Sequence, residues 1–493
     1  MAGTRKIIAG LAVLVAGLWL RTDALGQAAG AETCYLDGWR NPLRCYRLPI
    51  ESEPEAPQLA VMVAPAVNNS GEEPLYLLAG GPGQAASDLA PLLNAFEPVN
   101  RERDIVMVDR RGAGRSGAFR CGIEDQRSLD LDAFARKLAD CYLDRAEFAE
   151  SLSSRQTVED LEMVRSRLGH ERIALWGGSW GTRTALLYQQ WHPQSVSELV
   201  LDAVAPIDTK VFLTARAAED ALQALQRDCA NDPACARLGN WRAQLDALLE
   251  SWDQGGRPVL SDPLTGQPLT EPMARWEFAN AIRTVLYDPR AAAQLPFAIT
   301  EAHSGNLQPL VGLSGLFVKS TESMSMGLTF SVACAEELNR ISADEIAADS
   351  DGTFLGTAFL DLFQHGCRGW PVKEKPYAAP EPRAQPVLLI SGEADPITPP
   401  RYADEALGYL ADKQHLVVAS GGHINSPRGC IPELIARFLA QPAEELDSTC
   451  TREISRPPFM VASYGPDIGG TAGNPVKEPG TGGRHDSGEE AGE

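Results

Sequence analysis

A chain of 493 residues is too long for one ordinary hydrophobic core, so length points to two or three structural units or one large α/β domain with an insertion. Hydrophobic residues at 44% and charged residues at 22% exclude global disorder. With 66 acidic against 44 basic residues the formal charge is −22, which weighs against a broad phosphate-facing surface and leaves nucleic acid an unexpected partner.

Arg5 and Lys6 precede an apolar run from Ile7 to Leu20, and small residues follow at Ala24, Gly26 and Ala28 to Gly30. This pattern predicts a cleaved export signal over residues 1–30. As a helix the run would span about 21 Å, short of a hydrocarbon core of roughly 30 Å, so an uncleaved anchor is the weaker alternative. No stable membrane insertion is expected once the signal is removed. Ten cysteines, an even set without a CxxC pair, lie beyond this leader. Export and an even count predict disulfides and a secreted or periplasmic protein. Nearest neighbours in sequence are the preferred partners: 34–45, 121–141, 229–235, 334–367 and 430–450. The sequence leaves the connectivity open, and buried free thiols are the alternative.

Gln58–Ala64, Pro74–Ala79 and Asp104–Asp109 read as short buried strands. A helix is expected from Thr157, capped with Asp160 and stopped by Gly169; its apolar positions Val158, Leu161, Val164 and Leu168 recur at helical spacing. Arg172–Trp176 is a strand, Thr182–Gln190 a helix and Val196–Leu201 a strand. Such alternation predicts an α/β fold with a mostly parallel sheet. From Pro206 to about Trp370 the pattern turns helical, with amphipathic stretches at 210–229, 240–252 and 272–286. Strands resume at Pro386–Ile390 and His415–Ala419, and Ile431–Leu439 closes as a helix. The expected organisation is therefore a core over 31–205 and 371–455, a helical cap over 206–370 and a flexible tail over 456–493. The tail is expected to be disordered because Gly and Pro are dense and apolar residues sparse from Gly465.

Gly177-Gly178-Ser179-Trp180-Gly181 lies between a strand and a helix. A serine at such a corner exposes its Oγ, and flanking glycines relieve crowding, so Ser179 is the candidate nucleophile; a merely structural corner is the alternative. A serine needs a base. His423, in the Gly-Gly-His loop after a strand, is preferred over His170, His192 and His485. Asp395, just beyond Val387–Ile390, is the candidate acid to orient His423, with Glu393 as competitor. Ala79-Gly80-Gly81-Pro82-Gly83 follows another strand, and the N–H groups of Gly81 and Trp180 are the candidate oxyanion donors. Gly80 is the fallback for the first of them, and an ordinary turn is the plainer reading. The arginines of Asp109–Ser116 read as a charge network supporting that turn. No HExxH pattern, His/Cys/carboxylate cluster or nucleotide loop is present, so no metal and no cofactor are expected.

With these residues in order, the chain resembles the alpha/beta-hydrolase peptidases that include prolyl aminopeptidases and secreted tripeptidyl aminopeptidases. The resemblance runs through Gly80–Gly83, Asp109–Ser116, Leu168-Gly169, Gly177–Thr182, Leu199–Asp202, Asp395–Pro399 and Gly421–His423. It covers most of residues 55–455 and is weakest in the cap. Ala79 departs from the histidine that many prolyl aminopeptidases carry before the double glycine, and features of both types mix, which leaves the released fragment a single residue or a tripeptide. The resemblance implies an alpha/beta-hydrolase fold with a helical cap, and an exported serine exopeptidase whose partners are peptides with a free N-terminus. It further implies that acids of the cap hold the substrate ammonium. Glu336 and Glu337, after Cys334, are the candidates, with helix capping or a solvated acid as the plainer reading. An esterase or other acyl hydrolase is the enzymatic alternative, and a non-catalytic binding protein on the same fold is the alternative of another class.

Overall fold

The computed structural model describes residues 30–50, 57–68, 70–123, 131–255, 260–261, 265–268, 273–316, 323–375 and 379–467. The expected signal segment, most of the glycine-rich tail and His485 lie outside the described residues.

Nine strands form one sheet: β1 (Glu32–Leu36), β2 (Trp39–Pro49), β3 (Gln58–Ala64), β4 (Leu75–Leu78), β5 (Ile105–Val108), β6 (Ile173–Gly178), β7 (Val196–Asp202), β8 (Val387–Gly392) and β9 (Lys413–Val418). Their order is β1-β2-β3-β5-β4-β6-β7-β8-β9. The first three pairings are antiparallel, and every pairing from β5 to β9 is parallel. The central strands β4 to β8 are buried along their whole length, as continuous apolar runs in a helix-covered parallel sheet require. Alternation decides the faces. Leu75, Leu77 and Trp176 face a layer with Phe96 and the helix Ile431–Ala440, whereas Tyr76, Leu78 and Leu175 face the helices Ser154–Arg167 and Trp180–Trp191.

The hairpin β1–β2 is not among the expected strands. It is an exposed antiparallel edge rich in arginine and interrupted by Pro42, so it lacks the apolar run that marks the central strands. The helix expected from Thr157 instead begins at Ser154, with Ser153 Oγ accepting from Gln156 N at 3.1 Å. Asp160 is not its cap, because its carboxylate receives Arg111 Nη2 at 2.7 Å.

Between β7 and β8 the chain forms the helical cap, built on two apolar clusters. One unites residues of 215–313 with Phe354, Leu355 and Phe459. The other joins 326–372 to Phe119, Phe134, Leu138 and Leu152, so a segment expected to belong to the first part of the core packs with the cap. The tail boundary at 456 is likewise corrected for 456–467. Phe459 is buried in the cap, Met460 N donates to Ala293 O at 3.1 Å, and Arg456 pairs with Asp228 at 2.8 Å. Five disulfides join 34–45, 121–141, 229–235, 334–367 and 430–450, the neighbour pairing expected from the spacing. Among the described residues no helix is long and apolar enough to cross a membrane.

Candidate active site

The backbone turns sharply where β6 meets the helix Trp180–Trp191, and Ser179 occupies the corner at φ 56° and ψ −125°. A positive φ in a residue with a Cβ costs on the order of 1–3 kcal/mol and persists only where its surroundings hold it. Two glycines make the corner possible. A Cβ on Gly177 would lie 2.5 Å from Gly181 O, and one on Gly181 would lie 2.0 Å from Leu78 O. Ser179 N donates to Asp202 O at 2.9 Å, and Thr182 Oγ1 donates to Ser179 O at 2.6 Å. The result is a serine held rigidly at the C-terminal edge of a parallel sheet.

Asp395 and His423 arrive from the loops after β8 and β9. His423 Nδ1 lies 2.9 Å from Asp395 Oδ2 and 3.1 Å from Oδ1. Asp395 also accepts Ile397 N at 2.8 Å, Thr398 N at 2.9 Å and Thr398 Oγ1 at 2.9 Å. Burial pushes the Asp395 carboxyl up, but the His423 charge and these donors together outweigh it and hold the group below the usual carboxylate range. The competitor Glu393 is exposed and, among the described residues, receives only Ser420 N, at 3.2 Å. Ser179 and His423 line the same cavity, although no hydrogen bond joins them. Such bonds commonly tighten only when substrate binds.

Asp202, at the end of β7, organises both halves of this arrangement. Its carbonyl receives Ser179 N, while its buried carboxylate accepts Asn425 N at 2.8 Å, Ser426 N at 2.6 Å and Ser426 Oγ at 2.6 Å. Burial exceeds the pull of these donors and raises its carboxyl to about 6. Sequence reasoning gave this residue no role. The available signal was an acid closing an otherwise apolar strand at the sheet edge where α/β proteins place their sites.

The Gly80-Gly81 turn stands beside the serine: a Cβ on Gly80 would lie 3.0 Å from Ser179 Cβ. Gly80 N donates to Gln84 Oε1 at 3.2 Å, which engages the fallback donor. Gly81, at φ 108°, and Trp180, at the first position of its helix, have backbone N–H groups without a hydrogen-bond partner among the described residues. Beneath the turn, the buried Arg110 guanidinium donates to Ala79 O, and Asp109 accepts Ser87 N and Arg115 N at 2.8 and 2.7 Å. The arginine loop thus supports the turn from within the protein.

The cap roofs these groups. Ser325 N donates to Gly83 O at 3.0 Å, and His423 N donates to Tyr287 O at 2.9 Å. Glycine is required at both contacts: a Cβ on Gly83 would lie 2.3 Å from Thr329 Oγ1, and one on Gly422 would lie 2.3 Å from Tyr287 O. A cavity of about 1060 Å³ remains, walled by Gly81, Ser179, Trp180, His423, Met324 and Phe359 among others. Among the described residues no group of three His, Cys, Asp or Glu is placed to hold a metal ion.

Glu336 and Glu337 do not reach this cavity, which corrects their assignment to the substrate ammonium. Glu336 caps the helix Ser154–Arg167, accepting Ser154 N and Ser154 Oγ at 2.6 Å each. Glu337 is 0% exposed, pairs with the equally buried Arg183 at 2.7 Å and accepts Phe212 N at 2.7 Å. Burial pushes both carboxyls up, more than Ser154 lowers the one and Arg183 the other. Removing one charge of such a pair strands the other, a loss of about 3–5 kcal/mol. Glu337→Gln should therefore lower the melting temperature strongly while the preference for free over blocked peptide amines stays unchanged. Differential scanning calorimetry with paired cleavage assays checks this, and a lost preference at unchanged stability would restore the original assignment.

Residues 73–248 match the family model of the alpha/beta hydrolase fold, and residues 352–450 match that of TAP-like proteins. Over 191 residues the chain is 35% identical to a probable proline iminopeptidase of Streptomyces coelicolor, a match covering 38% of this chain and 51% of that protein. The chain thus spans about half the length of that relative. It is 23% identical over 423 residues to serine protease Hip1 of Mycobacterium tuberculosis, covering 74% of this chain and 78% of the relative. Among solved structures, proline iminopeptidase of Mycobacterium smegmatis is 18% identical, covering 80% of this chain and 98% of its own, with a TM-score of 0.40.

Proposed function

The chain belongs to the alpha/beta-hydrolase family that takes in proline iminopeptidases and TAP-like proteins, and from that premise we propose an exported serine exopeptidase that acts through an acyl-enzyme. The observation that carries the reading is His423, hydrogen-bonded to Asp395, lining the same roofed cavity as the strained Ser179. In this reading Ser179 Oγ attacks the peptide carbonyl and passes its proton to His423 Nε2. Asp395, holding Nδ1–H, fixes the tautomer and stabilises the imidazolium. The N–H groups of Gly81 and Trp180 receive the developing oxyanion, for neither has a hydrogen-bond partner among the described residues. His423 then protonates the leaving amine, and water, activated by the same histidine, releases the acyl group. The five disulfides support an oxidising compartment, secreted or periplasmic.

A roofed cavity suits chain ends better than the middle of a protein, and this supports release of a single residue or a tripeptide from a free N-terminus. Among the described residues the carboxylates on the cavity wall are Asp88 and Asp288, of which Asp288 is engaged by Arg290 at 2.5 Å. A charged hydrogen bond to the substrate ammonium contributes about 1.5–3 kcal/mol. Acetylating the amine of a peptide panel should accordingly lower kcat/KM by roughly ten- to hundredfold. Mass spectrometry of the products reads the fragment length. Equal cleavage of free and acetylated peptides at internal bonds would make the protein an endopeptidase. Turnover of simple esters without cleavage of any peptide would make it an esterase.

A further inference from the structure

The helix Arg275–Val285 runs along the cavity wall, and Tyr287 follows it. Arg283 lines the cavity with only 5% of its surface exposed. Its Nε donates to Asn280 Oδ1 at 3.0 Å, its Nη1 donates to Tyr287 Oη at 3.0 Å, and its guanidinium carbon lies 4.0 Å from the centre of the Phe359 ring. All of these partners are neutral. Among the described residues no carboxylate forms an ion pair with Arg283, and its Nη2 makes no hydrogen bond. Arg103 and Arg183, buried to a similar degree, each hold a glutamate, Glu198 at 2.8 Å and Glu337 at 2.7 Å. Asp288, the nearest acid in sequence, is taken by Arg290.

A guanidinium only 5% exposed on a cavity wall, with no counter-charge among the described residues, is suited to take an anion from outside. Its planar fork suits the two oxygens of a carboxylate. Tyr287 places the group relative to the chemistry. The Tyr287 ring meets the His423 ring edge-on, with centroids 5.0 Å apart, and the Tyr287 carbonyl holds the His423 backbone. Arg283 thus stands on the histidine side of the cavity, from which the leaving amine departs.

The geometry points to a carboxylate-binding subsite at Arg283, which selects substrates carrying an anionic carboxylate on the leaving side. This rests on the serine-hydrolase reading of Ser179 and His423. The carboxylate has two possible sources, the C-terminus of a short peptide or an acidic side chain beyond the cleaved bond.

The test compares substrates in pairs on the full chain: tetra- and pentapeptides as acids and as C-terminal amides, peptides with Glu or Gln beyond the cleaved bond, and aryl esters whose leaving phenol carries a carboxylate or its carboxamide. Wild-type protein should favour the carboxylate member of at least one pair by roughly ten- to hundredfold in kcat/KM. The first pair identifies the C-terminus as the source and the second the side chain. Arg283→Gln should bring that ratio close to one, and Arg283→Lys, which keeps the charge without the fork, should retain part of it. The wild-type ratios need no variant, so a misfolded Arg283→Gln leaves the test intact. The ester pair separates two failures. A carboxylate preference on esters without peptide cleavage would keep the subsite and overturn the peptidase reading. Ratios near one for every pair in wild-type protein, or a ratio unchanged in a folded Arg283→Gln, would overturn the subsite.

Discussion

Ser179→Ala should reduce turnover by on the order of 10⁴- to 10⁶-fold while leaving the fold in place. The size of the effect follows from the division of labour at the corner. In the proposed mechanism Asp395 and His423 act through the one atom that is removed, and without it only substrate binding and the oxyanion donors of the turn remain. The stability should change little, because among the described residues no hydrogen bond ends on Ser179 Oγ, and alanine meets the same backbone constraint at φ 56°. Steady-state rates, labelling by a fluorophosphonate and a thermal melt check the three parts together. Near-native turnover from folded, uncontaminated variant protein would remove Ser179 from the mechanism.

Asp395→Asn should cost about 10⁴-fold in kcat, a loss set by hydrogen-bond polarity rather than by shape. The carboxylate accepts from Ile397, Thr398 and His423, and it has no donor to offer them. An asparagine NH₂ must face at least one of these donors, which favours the imidazole tautomer with its proton on the wrong nitrogen. Glu393→Gln is the matched control and should stay within a few-fold of wild type, since Glu393 is exposed and its carboxylate holds Ser420 N at 3.2 Å. The reverse outcome, mild at 395 and severe at 393, would transfer the orienting role. The pH dependence has a defined sign. A carboxyl held below its ordinary value contributes stability above the unfolded-state range and loses it as pH falls through the depressed value. Asp395 therefore stays ionised across neutral pH, and protonation of Asp395 should not produce an acid limb in kcat/KM near pH 6.

The central strands, the strand–serine–helix corner and the glycine turn were legible because their cues are local. A parallel strand buried on both faces must be a continuous apolar run, and a serine corner must carry glycines at fixed offsets, as the contacts of Gly177 and Gly181 demonstrate. Asp395 and His423 were legible for a related reason: each follows an apolar strand directly, so the chain order places them at one edge of the sheet. The edge hairpin β1–β2 escaped because a half-solvated strand carries no such run.

What depended on partners distant in the chain could be decided only by the tertiary structure. Glu336 and Glu337 are adjacent at the end of a cap helix, yet one meets Ser154 and the other Arg183, residues 182 and 154 positions away. No local pattern separates an acid waiting for a substrate amine from one already neutralised inside the protein. Gly83 and Gly422 stand out in the sequence, but the reason for them, a cap backbone or side chain pressed where a Cβ would lie, exists only once the helices are in place. Asp202 and Arg283 show the same limit from opposite sides. The first is satisfied by a loop more than two hundred residues on, and the second has no counter-ion among the described residues that pack around it. Local backbone and hydrophobic preferences are written in short stretches of sequence, whereas the environment of a buried charge is the sum of the groups that folding brings to it.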